Sequence, residues 1–321
     1  MIRLLLVLVA LFLAGPVAAE PWPLPRSEVV TLPAPELGRR YSYIIVLPPG
    51  YEANPERRYP ALFFTDAPQS AALIAGMAQR LTAGGRGLEP AILVGLGYAD
   101  GDTGQYSRRR DYTPTPHGDI DAVSDMPGRP VRYGEAEAYR RHLEAVVLPE
   151  LGRRYRIDPD RRIYLGHSYG GLFGAHVLLT SPTLFARYVL ISPSLWYGRR
   201  LMLARERGYA SQNRDLRAEV LMIVGGEETV EDPDAEPFGE ALNAMVEDQA
   251  AFAAALAARN YPSLELENVV LPGEDHGSVY VPAVRLGLEW ALPGTGKPAR
   301  APCPKDNPTC RYPDWTRRPV N

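Results

Sequence analysis

The chain has 321 residues, of which 45% are hydrophobic and 23% charged, and its formal net charge is −3. This length and apolar fraction exclude a chain that is disordered throughout and allow one large domain or two small ones. The charge lacks the strongly basic balance typical of nucleic-acid-binding proteins, so we exclude DNA and RNA as partners.

The first 19 residues have the composition of a secretory signal peptide. A basic residue, Arg3, precedes an apolar run from Leu4 to Ala14, and small residues then lead to Ala19. The run is shorter than the roughly 20 apolar residues that a membrane-spanning helix needs. We therefore expect cleavage after Ala19 and an exported protein, periplasmic or secreted, without stable insertion into the membrane.

Short apolar segments rich in β-formers alternate with amphipathic or alanine-rich segments along most of the chain. This alternation predicts an α/β fold, in which helices cover both faces of a mostly parallel sheet. The predicted strands cover residues 41–47, 60–64, 91–97, 162–167, 186–192, 219–225 and 264–271. The clearest predicted helices cover residues 135–156, 169–180 and 237–259.

Residues 97–134 are polar, rich in Gly and Pro, and without clear periodicity, which predicts a long loop. Such a loop is usually functional or disordered. Because it follows a strand, it should leave the carboxyl edge of the sheet, where open α/β folds bind ligands.

One domain is expected over residues 20–297, followed by a Pro-rich tail over residues 298–321. The two cysteines of the chain, Cys303 and Cys310, both lie in this tail. An oxidising compartment would let them pair, so we expect a local disulfide with no part in chemistry.

The segment from Gly166 to Gly170 matches the pattern Gly-x-Ser-x-Gly, with Ser168 at its centre. It joins a predicted strand to a predicted helix, which is the setting of a nucleophile elbow. The glycines would let strand and helix approach closely where a Cβ would clash. Ser168 is therefore the candidate nucleophile, and the alternative is a serine that caps the helix in an ordinary turn.

A serine nucleophile needs a base within hydrogen-bonding reach. Of five histidines, His276 comes after the last predicted strand, which is where the base belongs in the chain order serine, acid, histidine. The alternative is a surface histidine bonded to Asp275.

The acid should follow the strand 219–225, where several carboxylates compete. We favour Glu228, whose role would be to hold the imidazole in the right tautomer. The other candidates are Glu227, Glu231 and Asp232.

The oxyanion of an acyl transfer needs two backbone N–H donors. The N–H of Tyr169 is one candidate. The other is expected from the turn after strand 60–64, and because Pro68 has no N–H, we favour Ala67. The alternative for this second segment is a plain turn.

Several longer motifs resemble the esterase (esterase D-like) family of α/β-hydrolases, and within it the periplasmic siderophore esterases that cleave enterobactin-type trilactones. They are "RRRDYTPT", "GEAEAYRRHLEAVVLPELGRRYRIDPDRRIYLGHSYGGLF", "SPSLWY" and "GEDHGS". The resemblance implies an α/β-hydrolase fold, with Ser168 as nucleophile, His276 as base and Tyr169 beside the oxyanion. Siderophore esterases of this type look like Ser-His dyad enzymes, so a third member is optional. The family usually shows Asp-Gly where this chain has Asp66 and Ala67.

Two further residues are candidates for substrate binding. Arg108 lies in the predicted loop at the position that the family motif shares, and an arginine fork binds carboxylates, phosphates and aromatic faces. The alternative is that one arginine of the loop pairs with Asp111 and the others are solvated. Trp196 could line an aromatic wall of the pocket or belong to the core.

These residues favour an exported serine carboxylic-ester hydrolase that works through an acyl-enzyme on a small-molecule ester, with no metal or organic cofactor. The family resemblance implies a siderophore trilactone as the substrate, whereas the residues themselves leave the acyl group open. The alternatives are an acetyl or feruloyl polysaccharide ester and a non-catalytic binding protein on a hydrolase scaffold. The oligomeric state stays open.

Overall fold

The computed structural model describes residues 22–83, 87–116, 123–229 and 244–294. The predicted signal peptide and the predicted cysteine pair lie outside the described residues. Among the residues described, no helix combines the length and apolar character needed to cross a membrane.

An eight-stranded sheet forms the centre of the described chain, with the strand order β1-β2-β4-β3-β5-β6-β7-β8. The strands are β1 Ser27–Ala34, β2 Arg39–Val46, β3 Tyr59–Phe64, β4 Ile92–Ala99, β5 Ile157–His167, β6 Arg187–Ile191, β7 Ala218–Gly225 and β8 Leu264–Leu271. The pairs from β4 to β8 are all parallel, whereas β2 is antiparallel to both of its neighbours. The predicted mostly parallel sheet is confirmed.

Helices cover both faces of the sheet. They are α1 Ala67–Leu81, α2 Gly104–Asp111, α3 Ala136–His142, α4 Leu148–Arg154, α5 Tyr169–Thr180, α6 Tyr197–Gln212, α7 Met245–Ala258 and α8 Tyr280–Ala291, with one π-helical stretch, Leu143–Val147, between α3 and α4. Helix α6 starts with an irregular turn, because Gly198, Arg199 and Arg200 have left-handed backbone angles.

The core has two layers, one on each face of the sheet. Strand β7 contributes alternate side chains to the two layers: Val220 and Met222 pack into one, and Leu221 and Ile223 pack into the other. A strand buried on both faces needs a continuous apolar run, which is the pattern that predicted these strands. Helices α1 and α8 cover one layer, and α3 to α7 cover the other. The architecture is the expected α/β-hydrolase fold.

The prediction of one loop over residues 97–134 is wrong at its start. Strand β4 continues to Ala99, and residues 104–111 form helix α2, which Thr103 caps by accepting a hydrogen bond from the Tyr106 N–H. The helix buries Arg110 and Asp111 as an ion pair. Because its buried side is ionic rather than apolar, the sequence showed no helical periodicity there. Strand β1 was also missed.

Candidate active site

Ser168 occupies a sharp turn between β5 and α5, with φ 59° and ψ −120°. A non-glycine residue in this conformation is strained, and such residues cluster at active sites. The serine side chain makes no capping hydrogen bond to α5, so the capping alternative does not describe it. The predicted setting of strand, turn and helix is confirmed.

The two glycines of the pattern permit the close approach that this turn requires. A Cβ on Gly166 would lie 2.4 Å from the carbonyl oxygen of Gly170, and a Cβ on Gly170 would lie 2.3 Å from the Thr65 Oγ1. Atoms cannot approach so closely, so only glycine fits at these positions. The contact with Thr65 also brings the end of β3 against the turn.

Glu228 follows β7 and is almost completely buried, with 3% of its side chain exposed. Its Oε1 accepts hydrogen bonds from the Gly225 N–H (2.9 Å) and the Ser192 hydroxyl (2.5 Å), and its Oε2 accepts one from the His276 Nδ1–H (2.6 Å). A buried carboxylate is costly unless donors satisfy it. Three donors do so here, and they fix its orientation.

His276 lies between β8 and α8, with its side chain 44% exposed. Its Nδ1 pairs with Glu228 rather than with Asp275, whose Oδ1 accepts from the N–H groups of Gly277 (2.8 Å) and Ser278 (2.7 Å) in the local turn. The surface-histidine alternative therefore does not describe the contact. Of the other candidate acids, Glu227 is exposed, and Glu231 and Asp232 lie outside the described residues.

His167 links the nucleophile turn to the histidine loop. Its Nε2 donates to the backbone carbonyl of His276 at 2.9 Å, and the two rings lie 4.6 Å apart between centroids. A carbonyl only accepts, so His167 carries its proton on Nε2. Burial, together with the nearby His276 and Arg108, lowers the pKa of His167 to about 3, and the ring is neutral.

The side-chain oxygen of Ser168 has a close neighbour in Ser194, on the turn after β6. The two hydroxyl oxygens are 3.4 Å apart, and the Ser194 N–H donates to the Ser168 carbonyl at 3.2 Å. The carboxyl ends of three neighbouring parallel strands, β5, β6 and β7, thus bring Ser168, Ser194 and Glu228 to one edge of the sheet, and the loop after β8 adds His276.

Both predicted oxyanion donors stand first in a helix, Tyr169 in α5 and Ala67 in α1. First-turn N–H groups have no intrahelical acceptor, so both can bind an anion. Asp66 reaches α1 through a left-handed conformation, φ 61°. The Ala67 methyl fits because residue 95 is glycine, where a Cβ would lie 2.7 Å from it.

Arg108 lies beside this edge. Its Nε is 2.9 Å from Asp66 Oδ1, and its guanidinium stands over the Tyr169 ring, 5.8 Å from the centroid. One arginine of the predicted loop does pair with Asp111, but it is Arg110, whose Nε lies 2.8 Å from Asp111 Oδ1. Arg108 is thus close to both candidate oxyanion helices and already has one carboxylate partner.

Trp196 is 7% exposed, and its ring lies 6.0 Å from that of Tyr169. It belongs to the core layer that backs the nucleophile turn. Its Nε1–H is buried without a hydrogen-bond partner among the described residues.

Three residues of this constellation were missed as site residues by the sequence analysis: His167, Ser192 and Ser194. Ser192 and Ser194 lie in the motif "SPSLWY", which carried the resemblance but gave no sign of which atoms they contact. Among the residues described, no group of histidines, cysteines and carboxylates is placed to hold a metal ion.

A known protein family matches most of the residues that form this fold and the candidate site. Residues 34–260 match the family described as "Putative esterase". The match covers well over half of the chain, and the chain belongs to this family.

The chain is also similar to known proteins and to solved structures. The ferri-bacillibactin esterase BesA of Bacillus subtilis is 28% identical over 281 residues, which cover 84% of this chain and 90% of BesA. The siderophore enterobactin esterase of Emericella nidulans is 34% identical over 125 residues, 37% of this chain and 41% of that protein. The siderophore hydrolase EstB from Aspergillus nidulans superposes with a TM-score of 0.70 at 23% identity, covering 87% of this chain and all of EstB (100%).

Proposed function

We propose that this esterase-family protein is an exported serine hydrolase that cleaves ester bonds of siderophores through an acyl-enzyme. One observation carries the proposal. A strained serine at the end of β5 shares the edge of the sheet with a histidine whose Nδ1–H is bonded to a buried carboxylate at 2.6 Å. The proposed nucleophile Ser168, orienting acid Glu228 and base His276 follow one another in the chain order expected of such hydrolases, which supports the proposal.

The proposed reaction begins with attack of the Ser168 oxygen on the ester carbonyl. The Ser168 proton passes to Nε2 of His276, since Nδ1 is occupied by its bond to Glu228. The negative carboxylate stabilises the imidazolium that forms. His276 then gives the proton to the departing alcohol, which leaves an acyl group on Ser168.

The oxyanion of the tetrahedral intermediate binds the N–H groups of Tyr169 and Ala67. Such donors stabilise charge that develops only in the transition state, and each is worth about 10²- to 10³-fold in rate. Water, which gives a proton to His276, then attacks the acyl-enzyme, and His276 passes that proton to the Ser168 oxygen as the acid leaves.

A siderophore ester is the proposed substrate because two similar proteins are named as siderophore esterases, and two others are named as esterases of ferri-bacillibactin and apo-salmochelin. The site adds chemical support. Arg108 and the ring of Tyr169 stand together at the edge of the sheet, and this pair suits an acyl group that is aromatic and anionic. Any iron carried by the siderophore belongs to the substrate.

Export rests on the signal-peptide prediction. N-terminal sequencing of protein recovered from outside the cytoplasm should find Glu20 as the first residue. A chain that retains Met1 and stays in the cytoplasm would contradict export while leaving the hydrolase proposal intact.

A substrate panel tests the function. It contains a catecholate trilactone, with and without iron, a feruloyl sugar and a short nitrophenyl ester, with Ser168→Ala as the inactive variant and the exposed-helix variant Ser211→Ala as the matched control. We expect the trilactone to give the highest kcat/KM and Ser168→Ala to abolish turnover. A preference for the feruloyl sugar would overturn the substrate, and turnover of none of them, or full turnover by Ser168→Ala, would overturn the hydrolase proposal.

A further inference from the structure

The turn formed by Ser192, Pro193 and Ser194 contacts both the nucleophile and the acid. We propose that it is a two-ended positioning device, in which Ser192 sets Glu228, and through it His276, while Ser194 supports the oxygen of Ser168. The inference rests on the proposed function and deepens it, because it assigns two serines that chain order does not predict.

The backbone of this turn is tied to the neighbouring strands and to the nucleophile. The Ser168 N–H donates to the Ile191 carbonyl (3.0 Å), the Ser192 N–H to the Ile223 carbonyl (2.7 Å) and the Ser194 N–H to the Ser168 carbonyl (3.2 Å). A Cβ on Gly171 would lie 2.8 Å from the Pro193 Cα, so the turn also packs closely on α5. Neither serine can move without moving the sheet edge.

Ser192 acts at the acid end. It is fully buried and has a left-handed φ of 38°, which is unusual for a residue with a side chain. The strained backbone aims its hydroxyl at Glu228 Oε1, 2.5 Å away, where the Gly225 N–H also binds. With both donors on Oε1, the carboxylate cannot rotate, and Oε2 stays directed at His276. Ser192 touches no reacting atom and is a positioning residue.

Ser194 acts at the nucleophile end. The residue is 2% exposed, and its side-chain oxygen lies 3.4 Å from that of Ser168. During attack the Ser168 proton moves to His276, and the Ser194 hydroxyl, which keeps its own proton, donates to the Ser168 oxygen as that oxygen gains negative charge. A hydroxyl held at this point limits the rotamers of Ser168 and stabilises the charge, as preorganised donors do.

Different readouts distinguish the two ends. Ser192→Ala should lower kcat on a nitrophenyl ester about tenfold with KM within twofold, and should broaden or shift the low-field proton NMR signal of the His276 Nδ1–H. Ser194→Ala should keep that signal but slow both kcat and the labelling of Ser168 by a fluorophosphonate about tenfold. These fold-changes are of the size expected when one hydrogen bond to a charged group is lost.

Two further variants control for strain and for the fold. Ser192→Gly lacks the hydroxyl but accepts φ 38° without strain. Ser192→Gly should therefore show the lower kcat and the altered NMR signal expected from loss of the hydroxyl, even if Ser192→Ala folds poorly. Ser211→Ala, on the exposed side of α6, should match the wild type in every readout.

The outcomes separate this inference from the proposed function. If the wild-type protein hydrolyses esters while Ser192→Gly retains the NMR signal and full kcat, or Ser194→Ala retains full kcat and labelling rate, the positioning device is disproved and the hydrolase stands. Loss of activity in both variants with equal loss of the NMR signal would also overturn it, because one shared structural defect would then explain both. A wild type without esterase activity removes the function and the inference together.

Discussion

The two halves of the candidate site are held in different ways. In the acid–base half, a buried carboxylate collects three side-chain or backbone donors at 2.5 to 2.9 Å. In the nucleophile half, Ser168 has one hydroxyl neighbour at 3.4 Å, and its place is set by a strained turn and by glycines that admit no Cβ. An imidazole needs charge-assisted hydrogen bonds to stay oriented, whereas the position of a short serine side chain is determined by its backbone conformation.

This difference predicts that changes in the acid–base half cost turnover and leave the fold intact. Glu228→Gln keeps the shape but can present an amide N–H to His276 and so favour the wrong tautomer. We expect kcat to fall about 10³-fold or more, with KM within a factor of two. Steady-state kinetics check this. The exposed neighbour Glu227→Gln is the matched control, and equal kinetics in the two variants would contradict the role of Glu228.

Changes at the glycines of the nucleophile turn should instead destabilise the fold. Gly166→Ala forces a Cβ to within 2.4 Å of the Gly170 carbonyl oxygen, so the turn must open. Overpacking of this kind costs about 1–3 kcal/mol in the free energy of unfolding. Urea unfolding measures the loss. Gly152→Ala in α4 has no atom within 4 Å of the new methyl and should be neutral or slightly stabilising; equal stability of the two variants would argue against strain at the elbow.

Acid should weaken the fold through histidines outside both halves. Burial, with nearby arginines adding to it, lowers the pKa of His142 and of His176 to about 4. Their unfolded pKa is near 6.5, so below pH 6.5 the unfolded chain binds protons that the folded chain does not, and stability is lost as pH falls from 6.5 toward 4. Each histidine contributes about 1.4 kcal/mol per pH unit. His142→Gln should flatten the pH dependence of urea unfolding, and an unchanged slope would contradict the burial account.

The smallest expected effect concerns the contact between the two halves. His167→Leu removes the donor to the His276 carbonyl. We expect kcat to fall about fivefold, since one neutral hydrogen bond contributes about 1 kcal/mol. His167→Gln can restore an N–H donor that does not titrate and should recover most of the rate. If the glutamine variant is as slow as the leucine variant, the hydrogen bond is not what matters at this position.

The sequence predicted those parts of the fold whose burial is apolar. Strand β8 lies where predicted, at residues 264–271, and the helix predicted at 169–180 has those bounds. Helix α2 could not be predicted in this way, because its buried side carries the ion pair of Arg110 and Asp111, and Asp111 is also 3.5 Å from Arg39, a residue distant in the chain.

The residues of the candidate site likewise fall into those that the sequence predicted and those that depend on contacts between distant segments. Chain order and motif pointed to Ser168, Glu228 and His276, since each follows a recognisable strand. Ser192 and Ser194 could not be assigned from sequence, because their partners depend on which strands lie side by side. Strand β6 pairs with β5 on one side and β7 on the other, so its end reaches both Ser168 and Glu228.

The central claim is that Ser168 is a nucleophile activated by His276, and covalent labelling tests it most directly. The wild-type protein is incubated with a fluorophosphonate, digested and mapped by mass spectrometry, alongside His276→Ala. We predict one adduct, on Ser168, formed at least about 100-fold more slowly in His276→Ala, as expected when a general base is lost. No adduct on Ser168, or labelling as fast without His276 as with it, would contradict the account.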